Sequence, residues 1–273
     1  MAEPVSSAAT AISIEAAFAA AREQGRAALM PYLMGGFPDQ ETATAVAEAY
    51  AEAGADLIEL GIPFSDPLAD GPTIHAADTA ALAAGATLDS VLETCAVVAE
   101  RLPVALMVYA NMVLATGPAE FAERARTAGA AGVIVPDLPL EERGPIAEAL
   151  DERDLALIPL LAPTTPPQRR AEICAAARGF VYLVSTVGVT GERAELPGEL
   201  SELIAATKRE AEVPVAVGFG ISTPEQAATV GREADGVIIG TRLVRAVAEA
   251  ADRDAAVRRV TDLLRATRQA LSG

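Results

Sequence analysis

Ile58-Glu59-Leu60-Gly61-Ile62-Pro63-Phe64-Ser65-Asp66-Pro67-Leu68-Ala69-Asp70-Gly71-Pro72-Thr73-Ile74 opens as an apolar strand and breaks at Pro63. Beyond that point it is too rich in Pro, Asp and Gly for helix or sheet, so the spacing predicts a loop running to Ile74. One acid, Glu59, sits inside the strand, and a second, Asp70, sits in the loop. Strands disfavour glutamate, and a buried charge is costly unless it is matched. Conflicts of this kind gather at functional sites. A single such acid reads first as a structural carboxylate capping a neighbouring backbone. Two acids joined by a proline-flanked loop point instead to chemistry.

The same grammar, an apolar run followed by a loop and an amphipathic helix, recurs on both sides of this stretch. The runs are Ala28–Met34, Ala55–Ile62, Val104–Ala110, Gly132–Pro136, Ala156–Leu161, Val181–Thr186, Pro214–Gly220 and Gly236–Gly240. Helical spacing falls between them at Gln40–Ala53, Leu88–Arg101, Pro118–Ala128, Leu140–Asp151, Pro167–Ala177, Gly198–Glu212 and Pro224–Gly231. A short helix over Ser13–Gln24 precedes the first run, and Thr241–Glu249 leads to a closing helix near Asp254–Leu271. Near-continuous apolar runs are strands buried on both faces, as in parallel sheets. Eight strand–helix units predict an α/β protein with a (β/α)8 TIM barrel and an additional N-terminal helix. A doubly wound sheet would more often have fewer units and an early GxGxxG, which is absent. The expected organisation is a flexible extension over residues 1–12 and a single barrel domain over 13–273.

Alternation along the strand turns Ile58, Leu60 and Ile62 toward the helices and Leu57, Glu59 and Gly61 into the barrel. Glu59 lies near the strand's carboxyl end, where barrel active sites sit.

Composition narrows the chemistry. The net charge of −17 argues against nucleic acid and anionic membrane as partners. Cys95 and Cys174 sit in helical apolar patterns and read as reduced core residues of a cytoplasmic protein. With one histidine, His75, and one lysine, Lys208, a histidine-rich metal centre is excluded. Lys208 lies in a polar helix end and reads as a solvated surface charge rather than a Schiff-base lysine. His75 reads either as a site residue or as an exposed residue at a helix start. Catalysis must therefore rest on carboxylates, hydroxyls and backbone amides.

Three glycine-bearing segments follow the last three strands: Gly188-Val189-Thr190-Gly191, Gly218-Phe219-Gly220-Ile221-Ser222 and Gly240-Thr241. Each can present backbone N–H groups beside a hydroxyl, and loops after strands 7 and 8 are the usual phosphate site of such barrels. The expectation is a phosphate held by amides and hydroxyls. Tyr32, Tyr109 and Tyr182 lie on strands 1, 3 and 6, and a phenol at a strand end can hydrogen-bond a catalytic acid. Asp137, at the end of strand 4, is either a site residue or a helix cap.

The segment Glu59–Pro72 resembles the signature of the tryptophan synthase alpha subunit family, and Tyr109-Ala110-Asn111, Gly188–Gly191 and Gly218–Ser222 match in the same order. The resemblance covers essentially the whole chain after the N-terminal extension. It implies retro-aldol cleavage of indole-3-glycerol phosphate to indole and glyceraldehyde 3-phosphate, with Glu59 and Asp70 as catalytic acids. Tyr109, Tyr182, Thr190, Gly191, Gly220, Gly240 and Thr241 are the expected substrate-binding residues. It further implies an α2β2 complex with a beta subunit, an indole tunnel, and no cofactor in this chain, pyridoxal phosphate belonging to the partner.

The expected partner surface is Phe64, Asp66 and Pro67 on a loop with too few apolar residues to fix its own position, together with Asn111 and Met112 after strand 3. The chain departs from some members at Thr186, Thr241 and His75. Another phosphate-binding barrel enzyme, an isomerase or synthase, and a non-catalytic regulatory subunit are the alternatives. The related indole-glycerol-phosphate synthase needs a strand lysine that this chain lacks.

Overall fold

The computed structural model describes residues 12–185, 198–218 and 220–273. Its strands are β1 (Ala28–Met34), β2 (Ile58–Gly61), β3 (Val104–Met107), β4 (Gly132–Ile134), β5 (Ala156–Ile158), β6 (Leu160–Leu161), β7 (Val181–Val184), β8 (Val215–Gly218) and β9 (Gly236–Ile239). The helices are α1 (Ile14–Glu23), α2 (Gln40–Glu52), α3 (Pro72–Ala83), α4 (Leu88–Ala99), α5 (Ala110–Thr116), α6 (Pro118–Thr127), α7 (Gly144–Asp151), α8 (Pro167–Ala175), α9 (Gly198–Glu210), α10 (Pro224–Gly231), α11 (Thr241–Ala248) and α12 (Arg253–Leu271).

All strand pairs are parallel. The order β5-β4-β3-β2-β1-β9-β8-β7-β6 begins and ends on the two halves of one apolar run. Pro159 divides that run, because proline has no N–H to give to a ladder. Its first half pairs with β4 and its second with β7, while the Pro159 carbonyl accepts the Tyr182 N–H at 3.0 Å. The ring closes through this run, which is why eight apolar runs appear as nine strands.

The core has two compartments. Ile58, Leu60 and Leu106 pack outward under the helices. Met30, Leu57, Ala105, Ile134, Ile158, Ala216 and Ile238 fill the interior, together with Ile14 and Phe18 of α1. The added helix is thus the barrel's floor: Ser13 caps it by accepting the Ala16 N–H, and Phe18 meets Phe180 with ring centroids 5.7 Å apart. At the amino ends of the strands, Asp56 receives Arg26 through both carboxylate oxygens and also accepts the Leu29 N–H. Cys95 and Cys174 are free and buried. Lys208 is paired with Asp235 at 2.7 Å on the surface rather than solvated alone. No single described helix is long and apolar enough to cross a membrane.

Some boundaries differ from the spacing. The expected loop to Ile74 ends earlier, because Pro72 is favoured at a helix start and Gly71 takes the cap position of α3. Strand 3 stops at Met107, so Tyr109 is not a strand residue but the cap position of α5. Asp137 is what turns the chain there: its carboxylate accepts the Ala110 N–H at 2.8 Å, making it a cap for a neighbouring unit's helix. The helix expected from Leu140 begins at Gly144, with Pro145 in its first turn.

Candidate active site

A cavity of about 470 Å³ opens at the carboxyl ends of the strands, where β1, β2, β3, β7 and β9 contribute to its wall, together with the segment that follows β8. Glu59 stands opposite Tyr32 in the β1–β2 register and is 1% exposed. Its Oε2 has no hydrogen-bond partner among the described residues. A carboxylate there would have lost its water without gaining a donor, so burial, and secondly the nearby Asp70 charge, push its pKa up to about 8. At neutral pH Glu59 is a protonated acid facing the cavity.

Asp70 shares the cavity but, unlike Glu59, has a hydrogen-bond donor. It is half-buried, and burial raises its pKa above the usual value, whereas a hydrogen bond from Tyr109 and the charge of His75 pull it back. Tyr109 Oη donates to Asp70 Oδ2 at 2.9 Å and accepts the Ala69 N–H at 3.0 Å. His75 is exposed in the first turn of α3, yet close enough to act on Asp70 electrostatically.

The loop between β2 and α3 is better held than its composition suggests. Besides the Tyr109 bridge, the Phe64 ring stacks on the Tyr109 ring with centroids 5.1 Å apart, and the Phe64 N–H is accepted by Asp78 Oδ1 at 3.1 Å. Hydrogen bonds supply the order that apolar side chains would otherwise have to give.

Tyr182 lines the cavity but makes no described hydrogen bond to either acid, contrary to the expected orienting role. Its ring lies across Gly218, at a spot that a Cβ on that residue would occupy. Gly220, Gly240 and Thr241 line the same cavity, Gly220 with φ +81, which favours glycine. Thr190, Gly191 and Thr186 lie outside the described residues.

The site also holds residues that the sequence did not single out for it. Arg242 and Arg245, in the first turns of α11, line the cavity beside Gly240 and Thr241. Neither side chain has a hydrogen bond or ion pair among the described residues, so this end of the cavity carries positive side chains beside its glycines and the Thr241 hydroxyl. Helix-start arginines look like surface charge in a sequence; only the turn of α11 onto the mouth reveals them.

On the expected partner surface, Phe64 is half-buried and Asp66 exposed, its Oδ2 accepting the Ser65 hydroxyl at 2.6 Å. Pro67 is not on the exposed side. It is buried, and its carbonyl accepts the Asp70 N–H in a tight turn. The outward residue is Leu68, 94% exposed. Asn111 is exposed on α5, whereas Met112 packs against the core.

A closed parallel barrel with a neutral acid, a second carboxylate and a basic, glycine-lined end belongs with the enzymes that perform acid–base chemistry on phosphorylated substrates. Comparison with known proteins narrows this class. The family profile described as "Tryptophan synthase alpha chain" matches residues 18–271. A relative of that description from Synechococcus sp. (strain CC9902) is 47% identical over 241 residues, 87% of this chain and 90% of the relative. Another from Prochlorococcus marinus (strain MIT 9313) is 46% identical over 245 residues, 89% of each. A solved tryptophan synthase from Mycobacterium tuberculosis superposes with TM-score 0.88 at 37% identity, covering 96% of this chain and 99% of that one. The chain belongs to the tryptophan synthase alpha chain family. Its reaction is that of the family, the carbon–carbon lyase cleavage of indole-3-glycerol phosphate in tryptophan biosynthesis.

Proposed function

We propose that Glu59 carries the protons of this cleavage and that Asp70 holds the charge that develops in it. Glu59, neutral at rest, donates its proton to carbon 3 of the indole ring, and the ring nitrogen becomes cationic. The Glu59 carboxylate then takes the proton of the side-chain hydroxyl. The bond from carbon 3 to the side chain breaks, and its electron pair returns to the ring and neutralises the nitrogen. Indole and glyceraldehyde 3-phosphate result, with Glu59 protonated again. Asp70 accepts the indole N–H throughout and is strongest as the cation forms. The observation that carries this reading is the unpartnered, 1%-exposed Glu59 carboxyl facing the same cavity as Asp70. Turnover of indole-3-glycerol phosphate by the purified chain tests it.

The phosphate is assigned to the end formed by Gly220, Gly240, Thr241 and Arg242, where N–H groups opening α11 favour an anion. Thr190 and Gly191 are further proposed contacts. Gly220→Val, strained at positive φ, and Arg242→Ala should each raise the KM for indole-3-glycerol phosphate about tenfold, as the loss of one charge-assisted contact does. Affinity for unphosphorylated indole-3-glycerol should hardly change. Equal losses for both compounds would remove these residues from the phosphate site.

The proposed partner is a tryptophan synthase beta subunit in an α2β2 complex, with pyridoxal phosphate in the partner and no cofactor in this chain. The docking surface is Leu68, Asp66 and Phe64 on the Asp70 loop, with Asn111 on α5. Leu68 supports this choice: it stands 94% exposed on the loop that carries a catalytic acid. A partner covering it biases the loop toward one position and raises turnover without adding a chemical group. Titration of beta subunit should therefore increase glyceraldehyde 3-phosphate release, and Asp66→Ala should blunt the increase while sparing the basal rate. A flat titration with the proteins bound to one another would refute the coupling.

A further inference from the structure

Asp78 is a buried carboxyl with no part in the proton transfers. It lies in the second turn of α3 and is 1% exposed. Its Oδ2 has no partner among the described residues. Burial pushes its pKa up to about 7, against the lowering effect of the one hydrogen bond it does accept, from the Phe64 N–H. An apolar side chain at this helix position would seal the core without that desolvation cost. The single bond that Asp78 makes is therefore the feature to explain.

That bond fastens the second turn of α3 to the first loop residue after Pro63. From there contacts run without a gap to the active site. The Phe64 ring lies on the Tyr109 ring at 5.1 Å and 28°. The Tyr109 hydroxyl then joins the Ala69 amide to the Asp70 carboxylate. Moving the Phe64 backbone shifts the ring that Tyr109 rests on, and with it the phenol that aims Asp70. An N–H at position 64 without an acceptor would also be drawn toward water, away from the barrel.

We propose that Asp78 is a positioning residue for Asp70, fixing the start of the β2–α3 loop through Phe64 and so setting where the carboxylate meets the indole nitrogen. The inference rests on the assignment of Asp70 made above. It separates Asp78 from a merely structural carboxyl, because its effect should fall on turnover and not on capture of the substrate's phosphate, which is proposed to rest on the start of α11. A misplacement of about 1 Å at a reacting group can cost on the order of 10²-fold in rate.

The test uses the full chain with Asp78→Ala and Asp78→Asn, indole-3-glycerol phosphate as substrate, and amide hydrogen exchange. Asp78→Ala should lower kcat by about tenfold or more with KM within about twofold. Exchange should quicken at Phe64 and Ala69 while the β1 and β9 amides keep their protection. Asp78→Asn, which retains an oxygen toward the Phe64 N–H, should recover most of kcat. If Asp78→Ala does not fold, Asp78→Ser, whose hydroxyl ends one bond short of the amide, carries the same expectations. Wild-type kcat in the Ala or Ser variant, a rise in KM that accounts for the loss, or an Asn variant as impaired as Ala would each overturn the proposal. Asp70→Asn in the same assay keeps the two readings apart. If that variant keeps wild-type kcat, the assignment of Asp70 has failed, whereas the exchange at Ala69 still reports on Asp78.

Discussion

Glu59→Gln should fold, bind indole-3-glycerol phosphate and release almost no indole. The amide matches the carboxylic acid in shape and still fits between Ile58 and Leu60, but it has no proton to give to carbon 3 and cannot receive one from the hydroxyl. General acid–base groups contribute about 10²–10⁴-fold, and kcat should fall by an amount in that range. Stability should move the other way. The Glu59 carboxyl titrates near 4.5 when unfolded and near 8 when folded. Between those values the folded chain keeps a proton that the unfolded chain has released, so stability falls as pH rises, by up to ~1.4 kcal/mol per pH unit, and levels above the folded value. Glutamine has no such slope, and denaturant midpoints at pH 5 and pH 8 should show the variant gaining on the wild type at the higher pH. Asp78, raised from 3.8 to about 7, adds a slope of the same sign in both proteins. Near wild-type turnover, or a variant no better off at pH 8, would dismiss the assignment of Glu59 as a neutral buried acid.

Asp70→Asn should separate chemistry from binding at the second carboxyl. Asparagine keeps an oxygen for the Tyr109 phenol, which holds Asp70 Oδ2 at 2.9 Å in the native chain, so the loop should stay in place. What disappears is the negative charge facing the ring nitrogen. Removing one preorganised group aimed at transition-state charge costs about 10²–10³-fold in kcat, and the KM should shift little because the phosphate end is untouched. Steady-state rates over a substrate series decide the matter. A rise in KM with kcat preserved would make Asp70 a binding group only.

Much of this arrangement is legible in the residues alone, for a physical reason. Strands buried on both faces have nowhere to place polar side chains, so Ala28–Met34 or Val104–Ala110 stand out as apolar runs, and Glu59 stands out by contradicting one. Glycine segments after the late strands are visible because few other residues allow close backbone approach. What escapes the sequence is what depends on direction. Asp78 carries no signal until the fold turns it inward, and Arg242 carries none until α11 meets the mouth. The place of Tyr109 at a helix cap and the burial of Pro67 escape the sequence for a different reason. A cap from Asp137 and a turn closed by the Pro67 carbonyl are tertiary and local hydrogen bonds that residue type does not announce.

The helix that forms the barrel's floor governs traffic as well as packing. With Ile14 and Phe18 wedged among the interior side chains, the axis is a blind well and not a conduit. The mouth of the cavity is bordered by the first turns of α11 and by the Asp70 loop, whose helix α3 packs against α11. If the phosphate sits where it is proposed to sit, at the start of α11, a phosphorylated fragment is held there while an uncharged ring is free to leave. Any protein that receives this ring without loss to solvent must therefore sit across the doorway itself, and the threshold it would rest on is the loop that ends in Asp70.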